Sequence, residues 1–136
     1  MKIVLDAWAL LALIFKEEPA AGKVKDIFDE KENAKPSIHM SWINLGEVFY
    51  KIARRKNLNV ANEVLNDIKM LPIRLHEPSK NDILESAVIK SKYLVSYADA
   101  FAVSLAQKME AVIFTGDPEI ISLKDVVNVQ RLSRSH

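Results

Sequence analysis

Five carboxylates in this 136-residue chain stand where acid chemistry is expected. Asp6 closes the apolar run Ile3-Val4-Leu5. Glu47 lies among Trp42, Ile43, Val48 and Phe49, on what the spacing predicts as a helix. Asp99 follows Ser96 by three residues and is surrounded by Ala98, Ala100, Phe101, Ala102 and Val103. Asp117 comes just after the apolar run 111–114, with Glu119 two residues on. If the elements carrying them pack against one sheet edge, these acids converge. Carboxylates gathered in a poorly hydrated place repel one another, and some protonate unless a cation neutralises them. Hard oxygen donors without Cys or clustered His favour Mg2+ or Mn2+ over zinc. A cation held this way activates water and stabilises charge on a phosphoryl group during in-line displacement. The chemistry that fits is phosphodiester hydrolysis.

Each acid also has a purely structural reading. Asp6 can cap a helix beginning at Ala7. Ser96-Tyr97-Ala98-Asp99 matches a capping box with Asp in place of Glu. Asp117 before Pro118 is the pattern of an N-cap followed by a first-position proline. Glu47 can point to solvent. A different chemistry has Asp6 as the nucleophile of an aspartate-based phosphatase, but the second aspartate usual two residues later is replaced by Trp8. Lys51, Arg54, Arg55 and Lys56 form a basic stretch at the end of the helix that carries Glu47, suited either to phosphate contact or to complementing the helix macrodipole. Arg131, Arg134 and His136 read as a mobile basic tail. His39 and His76 lie far apart in sequence, and no histidine metal motif is expected. Trp8, Trp42, Tyr50 and Tyr97 are of the type that stacks on bases, although packing is the better reading for Trp42.

The elements that must position these groups follow from composition and patterning. With 49% hydrophobic residues, 3 Gly and 5 Pro, disorder and collagen-like repeats are excluded. No apolar run is long enough to span a bilayer. Cysteine is absent, which removes disulfides, thiolate zinc sites and a cysteine nucleophile. Lysine and arginine number 19 against 18 acids, so any binding of nucleic acid must use a local patch. Lys2 and the apolar stretch that follows imitate a secretory leader, yet Asp6 and Lys16-Glu17-Glu18-Pro19 interrupt that pattern. A cytoplasmic protein beginning at its first strand is expected, with one domain over 1–136. Apolar runs at 2–5, 36–40, 72–75, 111–114 and 126–129 predict strands. Helices are expected at 7–16, 20–30, 42–55, 60–70, 79–92 and 96–109, with inward faces that include Val24 and Ile27; Ile43, Val48 and Ile52; and Ile83, Ala87 and Val88. Short apolar strands alternating with helices imply an α/β sandwich with a mostly parallel sheet, which places functional residues just past the strand ends.

At these residues the chain resembles PIN-domain ribonucleases, and among them the VapC toxins of type II toxin–antitoxin systems. Four stretches carry the likeness: Val4-Leu5-Asp6-Ala7-Trp8-Ala9-Leu10-Leu11-Ala12 with Glu17-Glu18-Pro19; Asn44-Leu45-Gly46-Glu47-Val48; Ser96-Tyr97-Ala98-Asp99-Ala100-Phe101-Ala102; and Thr115-Gly116-Asp117-Pro118-Glu119. They occur in family order over almost the whole chain. The resemblance implies a three-layer α/β/α PIN-like fold around a mostly parallel sheet of about five strands. It implies a Mg2+- or Mn2+-dependent endoribonuclease with Asp6, Glu47, Asp99 and Asp117 as the metal-binding acids and Glu119 as an auxiliary one. It also implies a homodimer held in check by a cognate VapB-type antitoxin; the apolar face Leu10, Leu13 and Ile14 reads either as core or as part of a dimer or antitoxin contact. Many members carry Ser or Thr two residues after the first aspartate; here that residue is Trp8, and Thr115, Ser96 or Asn44 is expected to support the site instead. Lys51, Arg54 and Arg55 would lead RNA to it. A non-catalytic PIN-like RNA-binding module is the alternative, although all four acids are present.

Overall fold

The computed structural model describes residues 1–30 and 35–135. The chain runs β1 (Lys2–Leu5), α1 (Ala7–Ile14), α2 (Ala20–Phe28), β2 (Ser37–Ser41), α3 (Trp42–Arg55), α4 (Leu58–Lys69), β3 (Ile73–His76), α5 (Lys80–Lys92), α6 (Tyr97–Met109), β4 (Val112–Thr115), α7 (Pro118–Ile121) and β5 (Asn128–Arg131). The strands form one sheet in the order β3-β2-β1-β4-β5, and every pairing is parallel. Helices cover both faces. Val4 and Ile113 pack with Val103, Ala106 and Ile89 of α5 and α6. Ile3, Leu5, Ile38 and Phe114 point the other way, toward Ala9, Ala12, Val24 and Ile27 of α1 and α2. Met40 joins Leu10, Leu45, Val48, Ile52 and Ile68, beneath α3 and α4. The three-layer expectation holds.

The order 3-2-1-4-5 reverses at β1, whose two neighbours are β2 on one side and β4 on the other. In open parallel sheets the crevice at such a reversal, outside the carboxyl ends of the strands, is where ligands bind. Asp6 follows directly on β1, and Thr115 ends β4, the two strands being paired through Leu5 and Phe114.

Several local expectations shift. Helix α4 begins at Leu58 rather than Val60, because the Asn57 side chain caps it by accepting from Val60 N (2.9 Å). Strand β5 lies two residues later than expected. Val126 and Val127 close a turn on Leu123 O (2.8 and 3.0 Å), so this apolar pair serves the core from a turn. On α3 the buried residues are Asn44, Leu45, Val48 and Ile52, and Ile43 is exposed, since the face is rotated to bring Asn44 against α6. On α5 Ser86 and Ile89 are buried, whereas Ile83 and Val88 are exposed and Ala87 is half-buried.

His39 and His76, distant in sequence, are hydrogen-bonded neighbours on adjacent strands (Nδ1···Nε2 2.8 Å), and His39 Nε2 reaches Ser37 Oγ (2.9 Å). Burial pushes His39 down to about 4 and His76 below its ordinary value, disfavouring the charged form of both. The C-terminal segment is fixed rather than mobile: Ala20 N donates to Ser133 O and Ser135 N to Glu18 O (3.0 Å each), and Arg131 belongs to β5. His136 lies outside the described residues.

Candidate active site

Each acid enters the site from an element end or a helix turn fixed by local sequence. Asp6 is fully buried and caps α1, its Oδ1 accepting from Ala9 N (2.8 Å). Its other oxygen accepts from the Thr115 hydroxyl. Thr115 Oγ1 in turn accepts from Asp117 N (2.9 Å), so one hydroxyl joins Asp6 at the end of β1 to the loop after β4. Asp117 caps α7 by accepting from Glu119 N (2.9 Å), with Pro118 in the first helical turn. Asp99 sits in the first turn of α6, whose cap Ser96 accepts from Asp99 N (3.1 Å). The structural readings of Asp6 and Asp117 as caps are therefore correct, and capping is what aims both residues.

Carboxylate oxygens of Asp99, Asp117 and Glu119 all lie within 4.8 Å of one another. Glu119, expected only as an auxiliary acid, is part of this trio, whereas Asp6 and Glu47 stand beside it. Glu47, Asp99 and Asp117 line one cleft of about 270 Å3, whose walls also include Trp8, Phe15, Glu17, Lys51, Arg55 and Arg134. Glu47 is not a solvated helix residue: Oε2 pairs with Lys51 Nζ (2.8 Å), and Oε1 is buried without a hydrogen-bond partner among the described residues.

Electrostatics record the crowding. Burial, opposed by the Thr115 and Ala9 hydrogen bonds and reinforced by Asp117 and Glu47, raises Asp6 to about 7. Burial, with hydrogen bonding and repulsion from Asp117, raises Asp99 to about 8. Burial pulls Lys51 down, but its pairing with Glu47 outweighs that and holds it above its ordinary value. Three hard-oxygen donors within 4.8 Å of one another, near a buried carboxylate oxygen without a hydrogen-bond partner among the described residues, are a donor set that fits a divalent cation of the Mg2+ or Mn2+ type. An Asp6 nucleophile fits poorly, since its carboxylate has no accessible surface.

The supporting and basic residues divide. Thr115 supplies the hydroxyl that position 8 lacks. Ser96 acts as a helix cap. Among the described residues Asn44 makes no hydrogen bond to Glu47; its Nδ2 donates to Ala98 O (2.9 Å), tying α3 to the turn that carries Asp99, and its Oδ1 is buried without a hydrogen-bond partner there. Lys51 and Arg55, one turn apart, line the cleft, whereas Arg54 lies over Tyr50 (5.1 Å). Phe15 and Arg134 at the cleft are not found by reasoning along the sequence, whereas Glu17 belongs to the Glu17-Glu18-Pro19 stretch already singled out.

Solved structures share this architecture. VapBC2 from Rickettsia felis, bound to a DNA fragment from its promoter, superposes with a TM-score of 0.74 at 14% identity, covering 98% of this chain and 100% of that one. VapC20 from Mycobacterium tuberculosis, a sarcin-ricin-loop-cleaving toxin, gives 0.73 at 17% identity over 88% and 93%. VapBC-1 from nontypeable Haemophilus influenzae gives 0.69 at 17% over 96% and 98%. At these identities the likeness is one of fold. No curated protein matches the chain. A family model of the PIN domain matches residues 3–126. With that match spanning most of its length, the chain belongs to the PIN domain family.

Proposed function

We propose that this protein is a Mg2+- or Mn2+-dependent endoribonuclease acting as the toxin of a VapBC-type pair. The observation that carries the reading is the meeting of Asp99, Asp117 and Glu119 near the reversal point of the sheet, two of them, Asp99 and Asp117, lining a cleft with Glu47. Asp99, Asp117 and Glu119 would hold the cation, with Glu47 and Asp6 completing the acidic set. When bound, it would lower the pKa of a water and offset charge on the phosphoryl oxygens. The chain's own groups do the rest. Asp6, through Thr115, fixes the backbone N–H of Asp117 and so the aim of its carboxylate. Asn44 fixes the start of α6 and with it Asp99. Glu47 is held by Lys51 through one oxygen, and its other oxygen, buried without a partner among the described residues, would complete the acidic set around the cation. Lys51 and Arg55 offer positive charge to the RNA backbone.

The sarcin-ricin-loop cleavage named for the Mycobacterium tuberculosis neighbour, and the VapBC assemblies among the others, support an RNA substrate and an antitoxin partner. A homodimer, a cytoplasmic site of action and a single domain over 1–136 belong to the same proposal. Among the described residues no helix is long and apolar enough to cross a membrane. The test is RNA cleavage by purified protein with Mn2+, beside D99N and D6N. Cleavage by the wild type that both variants lose, with circular dichroism unchanged, is the expected result, and growth arrest on expression should vanish with it. Undiminished cleavage by either variant, or an inert wild type, would overturn the reading.

A further inference from the structure

The cleft has a second basic wall, made by the far end of the chain. Arg134 lines it together with Arg55, although the two are 79 positions apart (134 − 55). Each guanidinium sits over an aromatic ring carried by α1 or its C-cap: Arg134 over Trp8 (5.0 Å) and Arg55 over Phe15 (3.9 Å). Trp8 and Phe15 are seven residues apart, two helical turns or about 10 Å along the axis, and so share one side of α1. Stacking occupies the face of a guanidinium and leaves its in-plane N–H fork to donate. Arg55 makes no ion pair among the described residues, and Arg134 gives one bond to Glu17, Nη1 to Oε1 at 3.0 Å.

The position of Arg134 is built in. The backbone bonds from Ala20 to Ser133 and from Ser135 to Glu18 hold the residues on either side of it. Trp8 is held too: a Cβ at Gly116 would fall 2.2 Å from its Cζ2, so the indole lies directly on the loop that leads to Asp117. The arrangement therefore references a cation to the acidic trio through Trp8 and that loop.

The geometry points to Arg134 as a phosphate-binding residue for single-stranded RNA, its guanidinium exchanging Glu17 for a substrate phosphate while Trp8 fixes its plane. With Arg55 it gives the strand a cationic contact at each end of α1. This inference rests on the nuclease reading above and adds a residue and a partner exchange to it.

The two ends of the Arg134–Glu17 pair should shift RNA affinity in opposite directions. Anisotropy of a short fluorescein-labelled single-stranded RNA of mixed sequence would be titrated with R134Q, E17Q and K124Q, each in a D99N background so that the probe survives. R134Q should weaken binding about tenfold, the order expected for loss of one charge-assisted contact. It should also flatten the slope of log affinity against log salt by about 0.7, one phosphate on a single strand. E17Q should bind more tightly, because the competing carboxylate is gone. K124Q, the same charge change at an exposed distant lysine, should reproduce neither effect. If Arg134 only pins the C-terminal segment, R134Q and E17Q will both lower the melting temperature and leave the salt slope of D99N in place, and the inference falls. An unmodified chain that cuts RNA while R134Q binds normally sinks this inference alone; one that neither binds nor cuts RNA sinks the nuclease reading with it.

Discussion

The Thr115 hydroxyl spends both of its hydrogen-bonding roles on the site, donating to Asp6 and accepting from Asp117 N. A Thr115→Val substitution keeps the shape and removes both bonds, leaving a fully buried carboxylate oxygen without its partner. It should lower stability by about 1–3 kcal/mol, the usual cost of an orphaned buried polar group, and reduce cleavage. Thr115→Ser should retain most of both, as read by thermal melts and RNA turnover. The raised acids make a second prediction. Asp6 and Asp99, ordinarily near 3.8, titrate at about 7 and about 8 in the folded chain. Between those limits the folded state keeps protons that the unfolded state has released, so stability falls as pH rises. Melting in the presence of a chelator should therefore drop steadily from about pH 4 to pH 8. A flat or rising profile would contradict the crowded site.

At the scale of elements, short strands end where chemistry begins, and caps do the aiming. Asp6 and Asp117 are N-caps whose carboxylates are turned toward the sheet's carboxyl edge by the helices they start. The loop between β4 and α7 is equally constrained, because Gly116 lies under the Trp8 indole with no room for a methyl group. Gly116→Ala should displace the indole or the loop. The expected cost is about 1–3 kcal/mol of overpacking, together with loss of cleavage, and a shift in tryptophan emission would report the movement. The capping residues Ser41, Ser79 and Ser96 stand within one residue of the expected helix starts, whereas the cap at Asn57 begins α4 two residues before the expected Val60. Faces were harder. Ile83 and Val88 fit a helical stripe, yet α5 buries Ser86 and Ile89, because periodicity reports a repeat and its phase is set by what the helix packs on.

For the whole molecule, a cation that binds only the folded arrangement must stabilise it. At about 100 times its dissociation constant, Mn2+ should add about 3 kcal/mol and raise the melting temperature by on the order of 10 °C. D99N and D117N should lose most of that gain, and the pH-dependent loss of stability should shrink when Mn2+ is present. By itself the sequence determined the element types, the parallel α/β class, the family likeness and the candidate acids, since hydrophobic period, caps and short motifs are written locally along the chain. Only the tertiary structure decided the strand order 3-2-1-4-5, the partnership of Thr115 with Asp6, the inclusion of Glu119 in the trio, the pairing of His39 with His76 and the arrival of Arg134 at the cleft. Each of these depends on which distant segments become neighbours. That choice is made by packing two helical layers against one twisted sheet, a summed effect of many weak contacts that no local stretch of residues encodes.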